Sequence, residues 1–198
     1  DDHYLSMRRR EYFDIFFDLI VERSIKRAVV LMGPRRVGKT VLLFHSIQEL
    51  IKKGISPSKI CYFSVETPIY NGIGLEELLK MFLEVSGFDL KDQLFIFFDE
   101  IQYLKNWEVH LKSLVDSYHS IKFIVSGSAA AALKLKSNES GAGRFTDFLL
   151  PPLTFHEYLS LKNIDDVIVE AGYGEYDTND IEKLNRYFID YINFGGYP

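Results

Sequence analysis

A single cysteine, Cys61, leaves no internal disulfide to be formed, so the fold is expected to hold without covalent cross-links, as in a reducing compartment. No apolar run reaches the roughly 18 residues needed to cross a bilayer, and the first residues lack the apolar core of a signal peptide. Both absences point to a cytoplasmic protein with no membrane partner. Basic charge is also in short supply. The formal net charge of -5 removes any electrostatic case for nucleic-acid binding by the body of the domain. The one basic run, Arg8-Arg9-Arg10, reads as a solvated helix face. The histidines (His3, His45, His110, His119, His156) show no spacing suited to zinc. Repeats and low-complexity tracts are missing, and no Asn-Lys-x-Asp segment marks a guanine site.

What is present is the composition of a folded domain. Hydrophobic residues at 47% and charged residues at 26% argue against disorder, and 198 residues suffice for one full domain and the start of another. The 16 Phe and 12 Tyr read as core and helix-packing material, because few stand beside clustered Lys or Arg.

Phe13, Phe16, Phe17 and Ile20 give one apolar face of a helix. Ala28 to Met32 is a short, partly β-branched run, expected as a strand buried on both faces and stopped at Gly33. Leu43, Ile47, Leu50 and Ile51 then follow helical spacing up to Gly54. The alternation repeats: strand Lys59 to Val65, helix marked by Leu75, Leu78, Leu79 and Phe82, strand Leu94 to Phe98, helix marked by Leu111, Leu114, Val115 and Tyr118, strand Lys122 to Val125. Strands alternating with helices predict an α/β fold with a parallel sheet covered on both faces, and ligands bind such sheets at the carboxyl ends of the strands.

After Pro151-Pro152 the character changes. Thr154-Phe155-His156-Glu157 fits a capping box, Asn179 with Glu182 starts a further helix, and Leu184, Phe188, Tyr191 and Ile192 give that helix an apolar face. The expected division is an α/β core with its N-terminal helix over residues 1–150 and a helical lid, or the start of a further region, over 151–198.

The octet Gly33-Pro34-Arg35-Arg36-Val37-Gly38-Lys39-Thr40 matches G-x-x-x-x-G-K-[ST] between a strand and a helix. Gly33 and Gly38 allow backbone angles and close approach that a Cβ would block, so successive N–H groups can face phosphate oxygens. The helix that starts near Lys39 adds its positive end. Lys39 can bridge β- and γ-phosphates, and the Thr40 hydroxyl can ligate magnesium. With Val41 next on the helix, Gly33 to Val41 is the expected binding stretch for ATP. Arg35 and Arg36 either touch nucleotide or a neighbouring subunit, or are exposed loop arginines.

Leu94-Phe95-Ile96-Phe97-Phe98-Asp99-Glu100 is a buried strand ending in two acids at the edge where the phosphates would lie. Asp99 suits the magnesium shell, and Glu100 is the candidate base for the attacking water. A third strand ends in Ser126-Gly127-Ser128. Ser126 either bonds the γ-phosphate or water, or serves only turn geometry. Arg144 follows Gly141-Ala142-Gly143 and either supplies transition-state charge or is a solvated loop arginine.

These residues together resemble prokaryotic ATPases of the AAA+ superfamily that carry G-P-R-R-x-G-K-T and D-E-I-Q. The matching pieces are Gly33 to Thr40, Asp99-Glu100-Ile101-Gln102 with Trp107, Ser126-Gly127-Ser128, Gly143-Arg144, Pro152 to Tyr158, and Phe194-Gly195-Gly196-Tyr197-Pro198. The resemblance implies a P-loop NTPase core of the additional-strand, catalytic-glutamate type, with a strand inserted between the P-loop strand and the Walker B strand. It implies Asp99 as magnesium acid, Glu100 as catalytic base, Ser126 as a sensor-like residue and Arg144 as a further charge of less settled role. Similar proteins continue into another domain, often with a winged-helix element. The chain therefore reads as a fragment, with the module that selects a protein or DNA partner expected beyond Pro198, and with self-association open.

A magnesium-dependent ATPase that couples hydrolysis to conformational change is thus the leading expectation. A nucleotide-dependent switch with negligible turnover is the rival, and Glu100 tells against it, since a binder needs no base. A small-molecule kinase would need an acceptor pocket for which the sequence carries no signature.

Overall fold

A computed structural model describes residues 2–70, 72–128, 143–173 and 175–198. Helix α1 covers Asp2–Leu5 and α2 covers Phe13–Val21, followed by strand β1 over Ala28–Gly33 and helix α3 over Lys39–Lys52. Then come β2 (Ile60–Ser64), α4 (Leu75–Ser86), β3 (Leu94–Asp99), α5 (Trp107–Ser117), β4 (Ile121–Ser128) and β5 (Phe145–Leu149). The five strands form one sheet in the order β2-β3-β4-β1-β5, with every pairing parallel. Strand β4 lies between β1 and β3, which is the inserted strand that the resemblance implies.

The strands are uninterrupted apolar runs because both of their faces are covered. On one face Val30, Met32, Ile96, Phe98, Phe123 and Val125 meet Leu75, Leu78 and Leu79 of α4 and Leu111 and Leu114 of α5. On the other, Val29, Leu31, Phe95, Phe97 and Ile124 meet Phe13, Phe16, Phe17 and Ile20 of α2 and Leu42, Leu43 and Leu50 of α3. Consecutive residues go to opposite layers, as the period of two requires. Four of the largest fully buried side chains are phenylalanines, Phe16, Phe97, Phe98 and Phe123, whereas Tyr103, Tyr173, Tyr176, Phe188, Phe194 and Tyr197 are exposed, so only part of the aromatic content is core.

Strand β5 is not among the sequence-based expectations. It is an edge strand whose Asp147 and Leu149 are exposed, so Phe-Thr-Asp-Phe-Leu shows no continuous apolar run. Past Leu150 the chain forms α6 (Phe155–Leu161), an antiparallel pair of strands β6 (Val169–Gly172) and β7 (Glu175–Asp177), and α7 (Ile181–Phe194). The segment expected as helical therefore also holds a small hairpin. The capping box is as expected: Glu157 N donates to Thr154 Oγ1 at 3.1 Å, and Thr154 N donates to Glu157 Oε2 at 3.3 Å. Helix α7 is capped by Asp180, whose Oδ1 accepts from Lys183 N at 2.9 Å; Asn179 instead donates to the Asp166 carbonyl at 3.2 Å. Its packed face is Leu184, Tyr187 and Tyr191, against Tyr158, Leu159 and Val167. Phe188 and Ile192, expected on that face, are exposed, because the small cluster under the helix covers one side only.

Candidate nucleotide site

Strand β1 delivers Gly33 to the carboxyl edge of the sheet, and the loop turns back into α3 within a few residues. Two loop residues take left-handed backbone angles, Arg36 at φ 62° and Gly38 at φ 94°. Gly38 is the N-cap of α3; no described side chain caps that end and its first turn carries no acid. An uncapped helix start of this kind offers N–H groups and a partial positive charge to an anion. Gly33 serves a different need. A Cβ there would lie 2.6 Å from the Leu150 carbonyl oxygen and 3.1 Å from Val37 Cγ1, so it is closeness and not a dihedral angle that demands glycine.

Lys39 is buried, and its Nζ donates to the carbonyls of Pro34 at 3.0 Å and Gly33 at 3.3 Å. Burial pushes its pKa below the ordinary lysine value, while the carboxylates of Glu100 and Asp99 pull it back up. Asp99 closes β3 with a side chain only 2% exposed. Its Oδ2 accepts from Thr40 Oγ1 and from Tyr62 Oη, both at 2.7 Å. Its Oδ1 accepts from Ser126 Oγ and, at 3.1 Å, from Glu100 N. Strand pairing explains the gathering: Ser64 stands opposite Asp99 on β2, and β4 on the other side carries Ser126. Burial first, and then the Asp99 charge, push the Tyr62 hydroxyl far above its ordinary range, so it stays a neutral donor.

Glu100 follows in a left-handed conformation at φ 55°, which turns the chain into a short 3-10 turn, Ile101–Tyr103. Its Oε2 accepts from Gln102 Nε2, and Gln102 Oε1 accepts from Ser128 N at 3.0 Å. Gln102 thus ties Glu100 to the end of β4. Lys39, Thr40, Asp99, Glu100 and Ser126 are brought together. Arg35 and Arg36 are exposed on the loop. Arg144 is not brought to them: its carbonyl accepts from Ala28 N at the opposite edge of the sheet, and its Nε donates to Asp116 at 2.6 and 2.9 Å. The reason is topology, since β5 runs parallel to β1 and Arg144 precedes β5. Gly141 and Ala142 of the same motif lie outside the described residues.

Beside the loop is a cavity of about 680 Å³, lined by Gly38 and Val41 on one side and by Leu153, Tyr158, Asn163 and Tyr197 on another. Its volume lies in the range that takes drug-sized ligands. Among the described residues no group of three or more His, Cys, Asp or Glu is arranged to hold a metal by itself. Thr40 and Asp99 supply two hard oxygen donors, a set that fits a magnesium ion taking its other ligands from phosphates and water.

Sequence reasoning gives no site contact for Tyr62 or Arg10, and it names Gln102 only as part of the Asp99-Glu100-Ile101-Gln102 motif, without a role. Arg8, Arg9 and Arg10 form no helix face. Arg9 pairs with Glu49 at 2.7 Å, and Arg10 is buried, bonded to Glu157 and to the loop carbonyl of Val37.

Fold and site together define a P-loop AAA-type protein. Residues 25–159 match the family described as AAA domain, AAA_14, and the chain belongs to that family. It is 36% identical over 166 residues to an uncharacterized protein of Methanocaldococcus jannaschii, covering 81% of this chain and 34% of that protein. A second uncharacterized protein of that archaeon is 30% identical over 181 residues, covering 91% and 38%. An uncharacterized protein of Haemophilus influenzae is 27% identical over 169 residues, covering 85% and 39%. The chain therefore spans little more than a third of the length of these relatives. The Aeropyrum pernix Orc1 protein, solved in complex with DNA, shares the fold with a TM-score of 0.61 at 11% identity, over 98% of this chain and 58% of that one. Among the described residues no helix is long and apolar enough to cross a membrane.

Proposed function

We propose that this chain binds ATP with magnesium and hydrolyses it, coupling turnover to movement between the sheet and the segment 151–198, in a cytoplasmic protein of the G-P-R-R-x-G-K-T and D-E-I-Q type. The observation that carries this reading is the convergence of Lys39, Thr40, Asp99, Ser126 and Glu100 at one edge of the sheet, with Asp99 accepting from Thr40 and Ser126. Lys39 would exchange its loop carbonyls for β- and γ-phosphate oxygens, and Thr40 and Asp99 would hold the metal shell. Glu100 would take a proton from the attacking water as the bond from the γ-phosphorus to the bridging oxygen breaks, giving ADP and phosphate. Arg35 and Arg36, exposed on the loop, would be available to a nucleotide or to a second copy in a self-associated form. Orc1, the structural neighbour, is a DNA-bound protein, and a DNA or protein partner reached through the rest of a longer chain accords with this reading.

One observation favours the nucleotide-switch alternative: the Glu100 carboxylate is engaged by Gln102. Glu100→Gln decides between the two. Single-turnover hydrolysis should fall by on the order of 10² to 10⁴ with little change in ATP affinity if Glu100 is the base. Equal, slow hydrolysis in both proteins, at concentrations that allow association, establishes the switch.

A further inference from the structure

The segment Arg8 to Glu11 lies along α6. Arg8 Nη1 donates to the Ser160 carbonyl at 2.5 Å, and Glu11 N donates to Glu157 Oε1 at 3.1 Å. Arg10 reaches further. Its Nε and Nη2 donate to the two oxygens of Glu157 at 2.7 and 3.0 Å, Nη2 also meets the Pro151 carbonyl at 3.0 Å, and Nη1 donates to the Val37 carbonyl at 2.7 Å. Arg10 is 6% and Glu157 1% exposed, so this fork joins three chain segments out of water.

Val37 and Gly38 share a planar trans peptide, in which C=O and N–H point in opposite directions. Holding the Val37 carbonyl toward Arg10 therefore aims the Gly38 N–H to the other side, the concave side of the loop where an anion would sit. Glu157, in turn, fixes the guanidinium, and Glu157 is the third residue of α6, locked there by its capping box. The path from the loop to α6 is thus one peptide plane, one guanidinium and one carboxylate.

We infer that Arg10 and Glu157 are positioning residues that couple the phosphate loop to α6, so that nucleotide in the loop and the docked position of α6 favour each other. This rests on the nucleotide reading of the loop. Coupling of this kind is reciprocal: the factor by which nucleotide favours the docked position of α6 is the factor by which docked α6 strengthens nucleotide binding.

The test uses the chain and its variants Glu157→Gln and Arg10→Lys, with the non-hydrolysable analogue adenylyl imidodiphosphate and magnesium. Affinity is read by calorimetry and amide exchange at residues 36–40 and 155–161. In the unmodified chain the analogue should raise protection in both segments. Glu157→Gln, whose side chain does not touch the loop, should weaken affinity roughly tenfold, as loss of a charge-assisted bond does, and should abolish added protection at 155–161. Arg10→Lys keeps the buried charge, which protects the fold, and should show the same loss because an ammonium cannot hold Val37 and both Glu157 oxygens at once. Variants that melt earlier but bind with full affinity and keep the added protection overturn the coupling and leave the nucleotide reading intact. An unmodified chain that does not bind the analogue overturns both.

Discussion

Gly33→Ala isolates the role of close approach in the phosphate loop. Gly33 has no left-handed backbone angle, so alanine incurs no dihedral penalty there, and the whole effect must come from space. The new methyl carbon would stand 2.6 Å from the Leu150 oxygen, whereas ordinary van der Waals contact for such a carbon lies at 3.4–4 Å. Nor can Leu150 easily retreat. Its own N–H donates to the Met32 carbonyl at 2.7 Å, and its side chain is fully buried against Ile124 and the α2 phenylalanines. Overpacking of this kind costs about 1–3 kcal/mol. For a chain of this size each kcal/mol moves the melting temperature by roughly 2–4 °C, so a fall of about 2–12 °C is expected in calorimetry. The lost stability should be accompanied by weaker nucleotide binding, since relief of the clash displaces the first residue of the loop. An alanine variant within about 0.5 kcal/mol of the unmodified chain in urea unfolding would refute the reasoning.

Lys39→Ala should weaken ATP binding by roughly 10- to 100-fold in calorimetry, the worth of hydrogen bonds to charged phosphate; unchanged affinity would remove the phosphate-site assignment. His45 gives a pH dependence. It is 2% exposed, with Nε2 2.9 Å from the Tyr4 carbonyl and a buried Nδ1 that has no partner among the described residues, and burial holds its pKa below the ordinary 6.5 although the Tyr4 contact acts the other way. The unfolded chain then takes up the proton first, so the stability contribution is intact above pH 6.5 and is lost as pH falls through the lower folded pKa. Urea midpoints measured from pH 8 to pH 5 should drop more steeply for the unmodified chain than for His45→Gln, and equal slopes would count against this assignment.

The buried strands β1, β3 and β4 are legible in the sequence because burial on two faces writes itself as an unbroken apolar run. Strand β5 writes nothing comparable, as its outer edge is wet, and the residues of β6 and β7 are exposed throughout. The same division holds in the site. Gly33 to Thr40 and Asp99-Glu100 are legible because the chemistry is carried by neighbours in the chain. Tyr62 is not. It stands opposite Phe97, two residues before the Ser64–Asp99 pair, and only the register of β2 on β3 shows that its ring reaches the Asp99 carboxylate. Arg10 and Glu157 are far apart in sequence, and no local pattern marks either as half of a buried pair. Arg144 shows the converse, a conspicuous arginine beside glycine that topology carries to the wrong edge.

The contacts of the site also show why its charges can be buried before nucleotide arrives. An isolated lysine or carboxylate out of water would shift toward its neutral form. Here Lys39 rests on two loop carbonyls, and Asp99 accepts from three hydroxyls and one N–H. The Lys39 bonds and the Thr40–Asp99 bond have counterparts in the proposed complex: phosphate oxygens for Lys39, a metal ion for Thr40 and Asp99. Nucleotide entry is then an exchange of partners, with little bare desolvation. Glu100 differs from them, since its partner Gln102 is itself held by Ser128 N at the last residue of β4. Gln102 engages only Oε2, so the carboxylate can meet a water at its other oxygen while it stays tied to the strand that carries Ser126. Binding and proton acceptance thus depend on different contacts, which is why Lys39→Ala and Glu100→Gln should separate affinity from turnover.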